Sequence, residues 1–296
     1  MNSPLISVVM ITYGHEDFIE KSIEGVLAQI FDGNIELIIS DDCSPDKTRH
    51  LVEKFISNHP NGRWIKYIRH EENKGAVPNF IWSLKQAEGE YIALCEGDDY
   101  WTDPFKLQKQ IDFLGKQEDY VICFHKVKVL KQNREILDDH ITNIPKNYEV
   151  RKTLAENSNY IHTPSVVFKN MHLDEIDSIE FQNTPIGDYF LYLLLTIHGK
   201  IGYIPEVMAV YRHGVGIFSS LGTLKSIEAN LLLYTNLYSI EVQNEIKDIF
   251  YLKIKQCLQQ LENEITNLQT ENSKYKTILK SNRYRFVDRF FSFIGR

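Results

Sequence analysis

A chain of 296 residues with 43% hydrophobic and 25% charged residues is long enough to bury one large α/β core and carry an appendage. Its net charge of -7 argues against a general nucleic-acid binder, which needs a basic face, so no nucleic-acid partner is expected. The four cysteines, Cys43, Cys95, Cys123 and Cys257, are too scattered for a zinc site or a disulfide framework and read as the reduced thiols of a cytosolic protein.

The first predicted element is "LISVVMITY" (5–13), a β-branched run suited to a strand buried on both faces of a parallel sheet. No basic leader with a cleavable apolar region is read there. The most apolar helical stretch, "YFLYLLLTI", is far short of a membrane span, so neither a secretion signal nor a transmembrane helix is expected. A helix follows in "DFIEKSIEGVLAQI", whose Phe18, Ile19, Ile23, Val26, Leu27 and Ile30 form one apolar stripe.

"IELIISDD" (35–42) is the second strand, and "SPDKT" starts a helix with Ser44 as cap, Pro45 in the first turn and Asp46 at the positive end of the dipole. The strand "WIKYIRH", the helix "PNFIWSLKQA", the strand "YIALC" and a helix from "DPFKLQKQIDFL" continue the alternation, with Asp103 and Pro104 repeating the capping device. Such a βαβα series predicts a mostly parallel central sheet flanked by helices. After "YVICFHKVKVL" (120–130) the pattern lapses into loops to about residue 160, then "SVVF", the helix "DYFLYLLLTIHG" and the strand "IGYIPEVMAVYR" restore order as far as Arg212.

From about residue 223 only helical periodicity remains, which divides the chain into a domain over 1–222 and a helical extension over 223–296. Between 251 and 279, Tyr251, Ile254, Leu258, Leu261, Ile265, Leu268, Asn272, Tyr275 and Leu279 alternate spacings of three and four. With Leu258, Ile265 and Asn272 at a and Ile254, Leu261 and Leu268 at d, the seam favours a parallel coiled-coil homodimer; the alternative is a long helix packed on its own domain. The tail "NRYRFVDRFFSFIGR" is basic and aromatic, suited to lying in a membrane interface or to packing as a terminal helix.

Acidic and polar residues collect where the predicted strands end. Thr12, Tyr13 and Glu16 follow the first strand, Asp41 and Asp42 the second, and Glu96, Asp98 and Asp99 the "YIALC" strand. Ligands of open parallel sheets bind at such ends. Crowded carboxylates raise one another's pKa unless a hard cation such as Mg²⁺ or Mn²⁺ joins them, and such a cation bridges in turn to a diphosphate. There is no GxxxxGK[ST] and no GxGxxG after the first strand, so P-loop and dinucleotide-cofactor readings lose their support.

"ISVVMITYGHEDFIEKSIEGVLAQ", "ELIISDDCSPDKT", "ENKGAVPNF" and "GEYIALCEGDDYWTDPFKL", in this order, closely resemble the inverting glycosyltransferases of family 2 with the GT-A fold. The resemblance covers roughly residues 4 to 215 and continues through "GDYFLYLLLTIHGKIGYIPEVMAVYRHG". It implies that Thr12, Tyr13 and Glu16 line a nucleotide pocket and that Asp42 hydrogen-bonds the base. "EGD" looks like the family's DXD motif, with Glu96 in place of the first Asp, Asp98 as metal ligand and Asp99 beside it. Where the family often has Arg before Asn79 this chain has Pro78, leaving Lys74 or the metal alone to neutralise the donor phosphates.

Asp188 in "PIGDYFLY" looks like the family's ED motif with Gly187 in the Glu place, which implies the general base of an inverting transfer, kept ionised by a helix N-terminus. His213 in "VYRHG" resembles the C-terminal His that many GT-A enzymes use as a further metal ligand, and Arg212 could steady the leaving diphosphate.

The expected function is therefore a metal-dependent inverting glycosyltransferase. Its donor is a nucleotide-diphospho-sugar, a UDP-sugar by preference, and its acceptor a hydroxyl of a glycan or lipid-linked molecule in surface polysaccharide synthesis. It would work in the cytoplasm, with the tail reaching the inner face of the membrane. The alternative is a noncatalytic sugar-nucleotide-binding or coiled-coil scaffold protein.

Overall fold

The computed structural model describes residues 6–216 and 221–271. The alternation runs as expected through β1 (Ile6–Thr12), α1 (Ile19–Leu27), β2 (Ile35–Asp41), α2 (Thr48–Asn58), β3 (Ile65–Arg69), α3 (Ala76–Lys85) and β4 (Tyr91–Leu94). Then come β5 (Tyr100–Trp101), α4 (Lys106–Lys116), β6 (Tyr120–Leu130), β7 (Ile136–Asp138), α5 (Arg151–Asn157), β8 (Val167–Lys169), α6 (Ile179–Gln182), α7 (Gly187–Leu195) and β9 (Lys200–Arg212). The helices α8 (Thr223–Ile240) and α9 (Asn244–Glu271) follow.

Among the described residues the strands form one sheet in the order β3-β2-β1-β4-β8-β6-β9-β5, with β7 paired to β6. The half from β3 to β4 is parallel, β6 and β9 are parallel to each other, and β8 and β5 run antiparallel to their neighbours. After β1 the chain moves outward to β2 and β3, then returns to place β4 on the other side of β1. That reversal of direction is a topological switch point, which opens a crevice beyond the carboxyl ends of β1 and β4.

Successive residues of the central strands serve opposite faces, as the pleat requires. Val8 and Met10 of β1 pack with α1, α2 and α4, whereas Val9 packs with α3 and α7 on the other face. Helix α7 is buried on all sides, from Tyr189 through Leu195, which fits a sequence that is apolar all round. Each of its leucines is worth ~1.5–3 kcal/mol of burial, so the helix that begins at Asp188 is firmly held.

Helices α8 and α9 share the core of the sheet's α7 face. Ile227, Leu233, Tyr234, Leu237, Phe250, Ile254 and Cys257 belong to one apolar cluster with Leu94, Phe124 and α7. The heptad seam follows suit, with Ile254 and Ile265 buried and Leu258 and Leu261 packed against that cluster. These described seam residues are thus engaged within the chain, which is the second of the two readings of the pattern. Asn272, Tyr275, Leu279 and the basic aromatic tail lie outside the described residues. Among the described residues no helix is long and apolar enough to cross a membrane.

One capping expectation is corrected. Ser44 does not cap α2: its hydroxyl accepts the Gly14 N–H at 3.0 Å and so ties the loop after β1 to the loop after β2. The start of α2 is held by Asp46, whose two carboxylate oxygens accept the N–H groups of Thr48 at 3.0 Å and Glu16 at 2.9 Å. An aspartate supplies two acceptors where a serine supplies one, so it can serve the helix end and the facing loop together.

Candidate functional site

A cleft of about 1000 Å³ opens beyond the carboxyl ends of β1, β2 and β4. Its first wall is the loop after β1, where Thr12, Tyr13 and His15 face the cavity, together with Asp42 and Asn79. Asp42 is buried and takes the N–H groups of Lys74 at 2.7 Å and Gly75 at 2.9 Å, one on each oxygen. Asn79 is held by Ser40, with its side-chain oxygen accepting the Ser40 hydroxyl at 2.5 Å and its amide donating to the Ser40 carbonyl at 3.1 Å. Asp41, next to Asp42, is spent on structure, since its oxygens accept the Ser44 N–H at 2.7 Å and the Tyr67 hydroxyl at 2.6 Å.

The acidic loop after β4 forms the floor. Glu96, Asp98 and Asp99 offer ligand oxygens that all lie within 4.8 Å of one another. The glycine between them is a packing requirement, because a Cβ on Gly97 would come to 2.7 Å from Thr12 Oγ1 and 2.8 Å from His15 Nδ1. Its N–H donates to the Ile11 carbonyl at 3.0 Å and its carbonyl accepts the Ser22 hydroxyl at 2.9 Å, pinning the loop to β1 and α1.

The electrostatics of this floor call for a cation. Glu96 is pushed up to about 8 by burial and by the charges of Asp98 and Asp188. Asp99 is driven well above the usual carboxylate range by burial and by Asp98 and Glu96. One Asp99 oxygen accepts the Arg212 N–H at 2.7 Å, but Oδ2 is buried with no hydrogen-bond partner. An orphaned buried oxygen, three convergent carboxylates and raised pKa values together fit a hard divalent ion such as Mn²⁺ or Mg²⁺. Glu96, Asp98 and Asp99 are the residues that would hold it.

Asp188 stands at the first turn of α7, where its Oδ2 accepts the Asn159 amide at 3.0 Å and the Thr163 hydroxyl at 3.4 Å. The helix amides and these two donors favour its ionised form, yet burial outweighs them and raises its pKa. The expectation of a helix end simply keeping it ionised is therefore amended by desolvation. Gly187 has its own reason to lack a side chain: a Cβ there would press to 3.2 Å from the Phe80 ring.

Asp42, Asp98 and Asp188 line one cleft, together with Thr12, Tyr13, Asn79 and Glu96. Four expected site residues are placed elsewhere. Glu16 turns outward, its carboxylate accepting the Lys47 N–H at 3.0 Å. Lys74 is exposed at its side chain and gives Asp42 only its backbone N–H. Arg212 is not itself in the lining: it lays its guanidinium over the rings of Phe18, a lining residue, and Tyr100, 4.9 Å and 5.1 Å from their centres, while its N–H serves Asp99. His213 is exposed, its N–H donates to the Leu130 carbonyl, and it does not belong to the group formed by Glu96, Asp98 and Asp99.

Other residues escaped sequence reasoning. His15 sits in the lining with Nδ1 at 3.1 Å from Thr12 Oγ1, and burial lowers its pKa against the opposing pull of Asp98, Asp46 and Asp41. Its signal was its place directly after Gly14, whose φ of 69° turns the chain back over the strand end. Asn159 and Thr163 come from a stretch read as loop. The last wall is made by α8 and α9 through Tyr234, Lys253, Gln256 and Gln260, which a separate extension would not have supplied.

The raised carboxylates set a pH dependence. In metal-free protein Glu96 keeps its proton up to about 8, whereas in the unfolded chain it would lose it near its ordinary value of 4.5. The folded state thus binds more protons across that window, so stability is highest below it and falls as pH rises through it. Thermal melts in EDTA should lose several degrees between about pH 6 and about pH 8, since 1 kcal/mol moves Tm by ~2–4 °C in a domain of this size. With saturating Mn²⁺ the loss should disappear. A Tm in EDTA that rises over this range would show that the carboxylates are not crowded.

The sequence model of Glycosyl transferase family 2 matches residues 7–176. An uncharacterized protein of Mycobacterium tuberculosis is 35% identical over 219 residues, which is 74% of this chain; the match spans 62% of that relative's length. An uncharacterized glycosyltransferase of Haemophilus influenzae is 25% identical over 263 residues, 85% of this chain and 94% of the relative. Among solved structures, S. aureus TarS 1-349 in complex with UDP-GlcNAc superposes with a TM-score of 0.62 at 18% identity, covering 91% of this chain and 76% of that one. The mannosyltransferase PcManGT from Pyrobaculum calidifontis, in complex with GDP-Man and Mn²⁺, gives 0.64 at 14% identity, covering 97% and 83%. At these identities the likeness is one of fold, and the fold is the expected GT-A type.

Proposed function

Because the chain belongs to glycosyl transferase family 2, we propose that it is a metal-dependent inverting enzyme that moves a sugar from a nucleotide-diphospho-sugar to an acceptor hydroxyl. The observation that carries this reading is the meeting of Asp42, Asp98 and Asp188, from three distant parts of the chain, on one cleft. A donor-binding scaffold would have use for the first two and none for a buried carboxylate at the opposite wall.

In this reading Asp42, its geometry fixed by the Lys74 and Gly75 amides, accepts hydrogen bonds from the base, the uracil imide of a UDP-sugar. Thr12 and Tyr13 flank the nucleotide. Glu96, Asp98 and Asp99 would hold a divalent ion, which would neutralise charge on the diphosphate. As the acceptor oxygen bonds to the anomeric carbon and the bond from that carbon to the diphosphate breaks on the opposite side, Asp188 takes the hydroxyl proton on a carboxylate oxygen and the nucleoside diphosphate departs. The burial-raised pKa of Asp188 suits it to hold that proton. The acceptor is a glycan or lipid-linked molecule for surface polysaccharide, and the place of action the cytoplasm.

The test is a panel of UDP-, dTDP- and GDP-sugars incubated with and without Mn²⁺, read by nucleotide release and binding. Mn²⁺-dependent binding of one nucleotide class, UDP-sugars by expectation, supports the reading. Binding of none of them in either condition overturns it.

A further inference from the structure

The wall opposite the acidic floor carries a cation without a counter-charge. Lys253, half-buried on α9, donates from Nζ to Ser158 Oγ at 2.9 Å and stands 5.2 Å from the centre of the Tyr234 ring on α8. The Tyr234 hydroxyl lies 3.0 Å from the same Ser158 oxygen. Among the described residues Lys253 has no carboxylate within ion-pair distance, and Glu156, the acidic group that influences it, is exposed and lies 4.0 Å from Lys152. Burial lowers the Lys253 pKa, as it does for an ammonium that is desolvated and unpaired.

Ser158 is held at φ 63° and ψ −171°, a conformation that is populated almost only by glycine. A glycine would make this turn at less cost, so what the position retains is the hydroxyl that joins Lys253 to Tyr234. The next residue, Asn159, donates to Asp188 at 3.0 Å. The cation and the carboxylate at the head of α7 are thus anchored on adjacent residues, whose Cα atoms are ~3.8 Å apart. Gln256 and Gln260 continue the same wall with amide donors.

We propose that Lys253, with Ser158, Gln256 and Gln260, forms an acceptor subsite for an anionic substituent, a phosphate or a carboxylate. The site rests on the transferase reading for its purpose: an anion held at Lys253 is anchored on Ser158, next to the Asn159 that donates to Asp188, which fixes the acceptor's direction in the cleft and brings its hydroxyl to Asp188. A neutral glycan gains nothing from a desolvated ammonium, whereas an acidic one supplies the partner that Lys253 lacks.

The experiment uses the full chain saturated with UDP and Mn²⁺, so that the donor corner is filled, and titrates it calorimetrically with glycerol 3-phosphate, glucuronate and, as the neutral control, glucose. At least one anion should bind about tenfold or more tightly than glucose, and Lys253→Met should erase that preference while Lys253→Arg keeps it. The stronger anion identifies the source, phosphate or carboxylate. UDP affinity should be the same in both variants, which reports that the donor corner and the fold are intact. Lys253→Met binding the anions as wild type does, or glucose matching both anions, overturns the proposal. Should wild-type protein fail to bind UDP, the transferase reading falls separately, and the same titration without nucleotide still decides the subsite by the difference between wild type and Lys253→Met.

Discussion

Asp98→Ala is expected to raise the dissociation constant of a UDP-sugar in Mn²⁺ by ~100-fold or more and to abolish the difference between Mn²⁺ and EDTA. Glu96 and Asp99 are raised first by burial, and Asp98 is the nearby charge that adds to the shift of both. Without it, two of the three convergent ligands remain, and a desolvated charged contact of this kind is worth ~3 kcal/mol or more. The same substitution should make metal-free protein more stable, since the crowding on Glu96 and Asp99 is relieved. Calorimetric titration of UDP with and without Mn²⁺ measures the first effect and a melt in EDTA the second. Unchanged, metal-dependent affinity in the variant would move the metal away from the acidic loop.

Asp188→Asn is expected to separate chemistry from binding. Asparagine matches the carboxylate in shape and can still accept from Asn159 and Thr163, but it cannot take up a proton. Turnover should fall ~10²–10⁴-fold, the usual contribution of a positioned base, with donor affinity within about twofold of wild type. Wild-type kcat should rise with pH through the burial-raised pKa of Asp188, and the residual rate of the variant should lack that limb. A variant that loses donor affinity in proportion to its rate would show that Asp188 supports the pocket rather than the proton transfer.

The side of this cleft at β1, β2 and β4 was legible because its residues sit directly at strand ends. β1 and β2 are continuous apolar runs, so the places where Thr12 and Asp42 emerge can be read without coordinates, and the switch point between β1 and β4 brings Glu96 to Asp99 beside them. Long-range packing decided what could not be read. Arg212 and His213 also end a strand, but the Arg212 side chain is taken by the Phe18 and Tyr100 rings beside the cleft and its N–H by Asp99, contacts with distant residues that the letters do not show. Ser44 looked like a cap because Ser-Pro-Asp is a local pattern, while its true partner, Gly14, is 30 residues away.

The side of the cleft made by α8 and α9 was hidden for a different reason. A three-and-four repeat in α9 states that one face is apolar without stating what covers it, and a second chain or the protein's own core satisfies it equally. Lys253, Gln256 and Gln260 do recur at helical spacing beside Ile254 and Cys257, so a polar stripe next to the apolar one was present in the letters. Its meaning depended on the fold that α9 closes against.

That closure also places the end of the chain's assembly in time. Chains are synthesised from the N-terminal side, so the strands β1 to β4, with Asp42 and the acidic loop, are made before the rest of the sheet they belong to. Tyr234, Lys253, Gln256, Cys257 and Gln260 are synthesised last among the described residues around the cavity, after the apolar helix α7 whose cluster α8 and α9 complete. The acidic loop is thus made long before the helices that close the cleft over Asp188, and the cavity has its full wall only as translation nears the last described helix.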